Sequence, residues 1–507
     1  VGFEPRAVGG VDDLHLVGEI AEIEVARGLH DLLAGAEEAG IQYVDDYNGP
    51  EQDGCSVVQV TQKGGRRWSA ADAYLRPVMD RPNLTVATGA LVRRVELDAG
   101  RATGVRYQDR RGREQVASAG REVLLSAGAI GSPQLLLLSG IGPADHLRAA
   151  GVDVAVDAPQ VGENLQDHPF LVCVWDVPGG GSLADGEKPR ALLEWTLRRT
   201  GPLASSVAEA FAFVRSRPGL AAADLQFHFA PAFFVDHGAT EYDGHALTIG
   251  PVLVSPRSRG HVRLRSSDPR AKPRILTNTL AEPEDLAALV AGVRIARRIA
   301  ATEAMRAVVG RELLPGDAEQ DDAEIEDDVR RRTELLYHPS GTCRMGGEDA
   351  VLDPELRVRG VEGLRVIDAS VKALAGLDSF AARAARVPDA AADAEVLGRF
   401  RERMDDDLDT PGATAVLFDT VRRANAAIDS GAPEAGALAA AVVQMCAAVG
   451  LVLNAGGDVP AEAAAKAAAL DAARAAKDFA TADALRAELQ AEGWTVETTK
   501  AGTTLRR

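Results

Sequence analysis

An imidazole stands at position 338, inside the run Tyr337-His338-Pro339-Ser340-Gly341-Thr342-Cys343-Arg344-Met345-Gly346. Histidine ordinarily titrates near 6.5, which makes it the side chain best suited to take a proton from a hydroxyl at neutral pH. A His-Pro pair by itself also fits an ordinary loop. A second candidate is Ala127-Gly128-Ala129-Ile130-Gly131-Ser132-Pro133-Gln134, where a glycine turn leads into Leu135 to Leu138 and then Gly140. Ser132 suits an N-cap, Pro133 the first helical position and Gly140 the residue past the helix end. The spacing therefore predicts a helix whose unpaired N–H groups could hold an anion such as a pyrophosphate. The third is Leu364-Arg365-Val366-Ile367-Asp368-Ala369-Ser370, a buried strand ending in a carboxylate and small residues. From these residues alone, Asp368 is equally a ligand contact or a turn cap.

The elements that must position these groups have local signatures. β-type segments at Leu84 to Thr88, Ala90 to Leu97, Thr103 to Tyr107 and Glu122 to Ser126 alternate with turns at Asp98-Ala99-Gly100 and Asp109 to Gly112, predicting a meander and then a buried strand. Between 168 and about 325, strand-like runs (Leu225 to Phe229, His261 to Leu264) accompany a helical stretch from Glu284 to Ile299, the pattern of a second, α+β lobe. The acidic run Asp317 to Asp328 reads as a solvated helix face. Beyond Leu377 the chain becomes alanine-rich helix, with a start at Thr410-Pro411, strong helix formers at Ala461 to Ala476 and Ala482 to Gln490, and a small hairpin at Trp494 to Glu497 and Thr503 to Arg506.

A chain of 507 residues exceeds what one core serves, so two or three domains are expected. With 56 basic and 75 acidic residues the net charge is -19, which disfavours a broad nucleic-acid or anionic-membrane surface. Cys55, Cys173, Cys343 and Cys446 stand far apart, without the Cys/His spacing of a zinc site, so no metal is expected and a reducing cytoplasm fits. No apolar run approaches the roughly 20 residues that span a bilayer. The first residue is Val1, which leaves open a processed end, a start codon read as valine, or a chain that begins partway through its gene.

The Tyr337 to Gly346 run is one of several that resemble the glucose–methanol–choline (GMC) oxidoreductases, especially the choline and alcohol dehydrogenase-like branch. The others include Asn48-Gly49-Pro50-Glu51-Gln52-Asp53-Gly54, Gly65-Arg66-Arg67-Trp68-Ser69, Thr88-Gly89-Ala90-Leu91-Val92, Val161-Gly162-Glu163-Asn164-Leu165-Gln166-Asp167-His168 and Ser267-Asp268-Pro269, in family order over about residues 30 to 371. The resemblance implies FAD as cofactor and an alcohol or choline-like CH–OH donor. It makes His338 the active-site acid/base, brings the backbone of Val92 to the adenine, and brings Asp368 and Ala369 to the flavin side. His168 closes its motif near the lobe junction, where a structural hydrogen bond is expected, and Cys343 reads as structural. Two family features are not in this sequence: the strand–G-x-G-x-x-G–helix unit that binds the ADP portion, and the later segment bearing a second active-site His or Asn, in whose place stands Val371-Lys372-Ala373-Leu374-Ala375-Gly376-Leu377.

From about 377 to 507 a different resemblance takes over. Met404 to Ala413, Leu417-Phe418, Arg422-Arg423-Ala424-Asn425, Lys477 to Arg486 and Gly502 to Arg506 are similar to the C-terminal helical region of cysteinyl-tRNA synthetases. That implies tRNA as partner, with Lys477, Arg486, Lys500, Arg506 and Arg507 on phosphate and Trp494 as a stacking face; the residues themselves fit a solvated helical surface as well. The sequence predicts an α/β plus α+β fold: a partial FAD-binding lobe (1–167), a substrate-binding lobe (168–325), a return to the first lobe carrying the active-site histidine (326–372) and an all-α helical bundle with a terminal hairpin (377–507). Three functional readings follow: a FAD-dependent oxidoreductase, a tRNA-binding module, and an inactive product of two joined gene fragments.

Overall fold

The computed structural model describes residues 28–371 except 49–51, 221, 317–320 and 348, and beyond them segments 390–405 and 432–448 with scattered positions between 384 and 506. In chain order the principal elements are α1 (Gly28–Glu38), β1 (Gly54–Val57), β2 (Leu91–Asp98), β3 (Arg101–Gln108), β4 (Glu114–Ser118), β5 (Val123–Leu125), α2 (Gly128–Leu138), β6 (Pro169–Phe170), β7 (Cys173–Asp176), β8 (Ala210–Val214), β9 (Leu225–Ala230), β10 (Ala246–Leu253), α3 (Pro283–Ala300), β11 (Glu312–Leu314), α4 (Asp322–Arg332), β12 (Glu334–Leu335) and β13 (Leu364–Val366).

The meander β2–β3–β4 is antiparallel. Asp98 pairs with Arg101, so Ala99 and Gly100 form a two-residue turn. Both have positive φ, the geometry that matches the twist of the flanking strands. The expected strand at Leu84 to Thr88 is irregular chain, and β4, which the sequence reading missed, supplies the third strand. Next to the meander, β5 and β13 pair in parallel, Leu364 to Val123 and Val366 to Leu125. Val123 and Leu125 are buried while Leu124 between them is 54% exposed.

The second lobe is an eight-stranded sheet in the order β1-β8-β9-β10-β6-β12, with β7 joining β10 to β11. Side chains alternate across it, as the two-residue period of a strand requires. Leu225, Phe227 and Phe229 point to one face and share a core with Leu32 and Ala36 of α1, Leu289 and Val293 of α3, and Ile325 and Val329 of α4. Gln226 and His228 point to the other face. The acidic run is the expected solvated helix face at Asp321, Asp322, Glu324, Glu326 and Asp327, all exposed, and departs from it at Asp328, which is buried and accepts from Arg332 Nε at 2.7 Å, while Arg332 Nη1 donates to the Val172 carbonyl at 3.0 Å, so this pair ties α4 to the sheet. Residues 317–320 of that run lie outside the described residues.

In the last third, the helices Ala394–Asp405 and Ala435–Ala448 carry Val396, Phe400, Leu438 and Val442 into the same core cluster as Leu136, Leu364 and Val366. Strands Thr495–Thr499 and Gly502–Arg506 form the expected hairpin. The helix start at Thr410-Pro411, most of Ala461 to Ala476, and Lys477, Trp494, Lys500 and Arg507 lie outside the described residues.

Candidate active site

Two motifs of the first resemblance that lie far apart in the chain, 161–168 and 337–346, run antiparallel and are stitched together along the backbone. Gly162 N–H donates to the Thr342 carbonyl at 2.9 Å, Gln166 and Ser340 exchange N–H···O bonds at 3.0 and 2.8 Å, and Leu336 N–H donates to the His168 carbonyl at 3.1 Å. Asn164 Nδ2 adds a bond to the Gly341 carbonyl at 3.1 Å. Gly341 itself has φ +88°, and a Cβ there would sit 2.6 Å from the Asn164 carbonyl, so the approach requires glycine. A third segment closes the braid: Gly341, Cys343 and Met345 donate to the carbonyls of Ala369, Ser370 and Val371.

This braid holds His338. Its N–H donates to Asp167 Oδ1 at 2.9 Å, and its Nδ1 lies 3.3 Å from Nδ1 of His168, the rings meeting edge to face at 5.2 Å. Two imidazole nitrogens in hydrogen-bond contact need one proton between them, one donating and one accepting. When His338 donates from Nδ1, its Nε2 carries the lone pair and is the basic atom. The ring is exposed on an open face. His168 thus makes a hydrogen bond, as its place in the motif suggested, and one partner is the other histidine. Cys343 is fully buried and its thiol is pushed up to about 12 by burial, so it is no thiolate nucleophile at neutral pH.

A third imidazole escaped the sequence reading. His228 lies on the face of β9 opposite the helices, paired with Phe211 of β8 and Gly250 of β10. Its ring lies tilted against Phe211 at 4.5 Å, and its Nε2 is shielded from solvent without a hydrogen-bond partner among the described residues. Gly250 leaves room for the Phe170 ring, which a Cβ would meet at 2.5 Å. Burial, followed by the charges of His338 and His168, pulls the His228 pKa down to about 4, so the ring is neutral at pH 7. The available signal was a histidine on the polar face of an otherwise alternating strand.

The helix expected to start at Ser132 begins at Gly128, and Pro133 lies inside it. The reason is long-range. Asp368, just past the end of β13, accepts from Gly128 N–H at 2.9 Å and from the Ser132 hydroxyl, while its other oxygen accepts from Ser370 N–H at 2.8 Å. Ser132 Oγ in turn accepts from Ala127 N–H at 3.0 Å. Pro133 has no N–H for the Ala129 carbonyl, and the buried Thr342 hydroxyl supplies it at 2.6 Å. An acidic side chain thus stands at this helix N-terminus and takes its Gly128 N–H, where the sequence offered room for an anion. Hydroxyl donors could still share the carboxylate. Asp368, already bonded to the Ser132 hydroxyl, has the chemistry that suits the ribityl hydroxyls of a flavin nucleotide. Val92 is a partly buried residue of β2, opposite Tyr107.

Two family patterns described as GMC oxidoreductase match residues 14–170 and 256–378. Over that span the chain belongs to the GMC oxidoreductase family. An uncharacterized GMC-type oxidoreductase of Mycobacterium tuberculosis is 48% identical over 343 residues, 67% of this chain and 64% of its own. The alcohol dehydrogenase [acceptor] of Pseudomonas putida is 42% identical (66% of this chain, 62% of its own), and the oxygen-dependent choline dehydrogenase of Rhizobium meliloti 40% (70% and 66%). The chain thus spans somewhat under two thirds of the length of the first two of these GMC relatives. Among solved structures, a formate oxidase superposes with a TM-score of 0.65 at 28% identity, covering 69% of this chain and 67% of its own. Pyridoxine 4-oxidase from Mesorbium loti gives 0.62 at 29%, covering 69% and 65%. A DALR domain pattern matches residues 399–454, in the stretch with the synthetase resemblance. No helix among the described residues is long and apolar enough to cross a membrane.

Proposed function

We propose that this protein oxidises the CH–OH group of a small alcohol or choline-like donor, with FAD as cofactor and His338 as the base. The observation that carries this reading is the His338–His168 contact, which makes Nε2 of the exposed His338 ring the basic atom when Nδ1 donates. When bound, the flavin supplies the hydride acceptor. Hydride leaves carbon readily only as the attached hydroxyl loses its proton, and His338 Nε2 takes that proton. Asp167 fixes the His338 backbone, and His168, by accepting at Nδ1, holds the productive tautomer. Asp368 and Ala369 would meet the ribityl portion and Val92 the adenine. His228 and Phe211 would form the floor beneath the donor.

In protein reconstituted with FAD, anaerobic addition of choline or a primary alcohol should bleach the flavin absorbance. His338→Gln should lower kcat/KM for that donor by about 10² to 10⁴. Protein that takes up no FAD, or a variant as fast as the parent, would exclude this reading.

The DALR match at 399–454 favours a second role, tRNA binding through residues 377–507. It predicts filter binding of tRNA that weakens steeply as salt rises. Negligible retention at every salt concentration counts against it.

A further inference from the structure

A shallow cleft of about 420 Å³ lies on the far side of the second lobe's sheet from His228, where the turn after β8 meets the outer face of α3. Four of its lining residues are arginines: Arg215 and Arg217 from the turn, Arg294 and Arg298 from α3. Such a concentration stands out in a chain of net charge -19. Arg294 and Arg298 are also one helical turn apart, a like-charge spacing that costs stability in isolation. Two carboxylates answer two of the guanidiniums: Asp53 lies 2.9 Å from Arg215, and Asp322 of α4 accepts from Arg294 Nε at 2.7 Å. Arg217 and Arg298 are exposed and have no carboxylate partner among the described residues. Between the charges, Ala291 and Ile295 form an apolar floor.

We propose that this cleft binds a small organic dianion of the phosphate-monoester class, its phosphoryl oxygens bridging Arg217 and Arg298 and its organic group resting on Ile295. Guanidinium forks present paired N–H donors that match phosphoryl oxygens, and two guanidiniums without a carboxylate partner among the described residues match a dianion. The inference is independent of the oxidoreductase reading, because none of these residues belongs to the histidine site.

Isothermal titration of the full chain with phenyl phosphate in a low-salt, phosphate-free buffer tests it, with inorganic phosphate, phenylacetate and phenol as comparison ligands. Saturable binding of one phenyl phosphate is expected, weakened about tenfold by either Arg217→Gln or Arg298→Gln and weakened further by both. Arg330→Gln, at an exposed arginine of α4, should leave it unchanged. Circular dichroism melts confirm that each variant is folded before its titration is read. No saturable binding, or equal affinity in the folded double variant, overturns the proposal. Inorganic phosphate binding as tightly as phenyl phosphate would mean an ion site only, and equal affinity for phenylacetate would remove the need for a dianion; either overturns the ligand class.

Discussion

His228 illustrates what one side chain can do to the pH response of the protein. Burial disfavours its charged form, so in the native state it takes up a proton only near pH 4, whereas in the unfolded chain it does so near the ordinary 6.5. Between those values the unfolded state binds more protons, so stability rises with pH across the window. The contribution is complete above about pH 6.5 and is lost as pH falls through about 4. Its size is on the order of 2 kcal/mol after allowance for partial exposure. Urea unfolding at pH 4.5 and 7 should reveal this slope, and His228→Phe should flatten it.

Helix α2 shows the same dependence of local structure on distant partners. A proline inside a helix frees a carbonyl, and here a hydroxyl more than two hundred positions along the chain occupies it. Thr342→Val keeps the shape of the side chain and removes the donor, leaving the Ala129 carbonyl buried and unpaired. The expected loss is about 1 to 3 kcal/mol, measured as a lower urea midpoint at unchanged slope. This element also marks the boundary of what the sequence disclosed. Gly140 past the helix end, the Ala99-Gly100 turn and the span of α3 were legible because each rests on φ preference or apolar spacing within a few residues. The start of α2 was misread because the capping rule sees Ser132 but not Asp368, which lies 240 positions beyond Gly128 in the chain and bonds the first turn. His338 was legible through its motif; its pairing with His168 and the approach of His228 were not, since no local pattern encodes which loops will lie antiparallel. Leu84 to Thr88 has strand composition but finds no partner, and a strand without a ladder is irregular chain.

At the scale of the molecule, two large cores stand out among the described residues. One lies between the large sheet and α1, α3 and α4; the other gathers the meander, α2, β13 and the helices of the last third. The histidines stand where the 161–168 loop leaves the second core to begin β6 of the sheet, so their spacing depends on how the lobes meet. The arginine cleft depends only on the first core. A mutation that loosens the junction should therefore disturb the histidine chemistry and spare the cleft.

The braid also has a history built into it. Its three strands of backbone come from positions near 165, 340 and 370, so the earliest of them waits for two others that are synthesised much later. Closing loops of that length is entropically slow compared with forming a hairpin such as β2–β3. On the ribosome the large sheet can begin to assemble while the histidine pair cannot exist, and the braid that holds the pair closes only after synthesis reaches Val371.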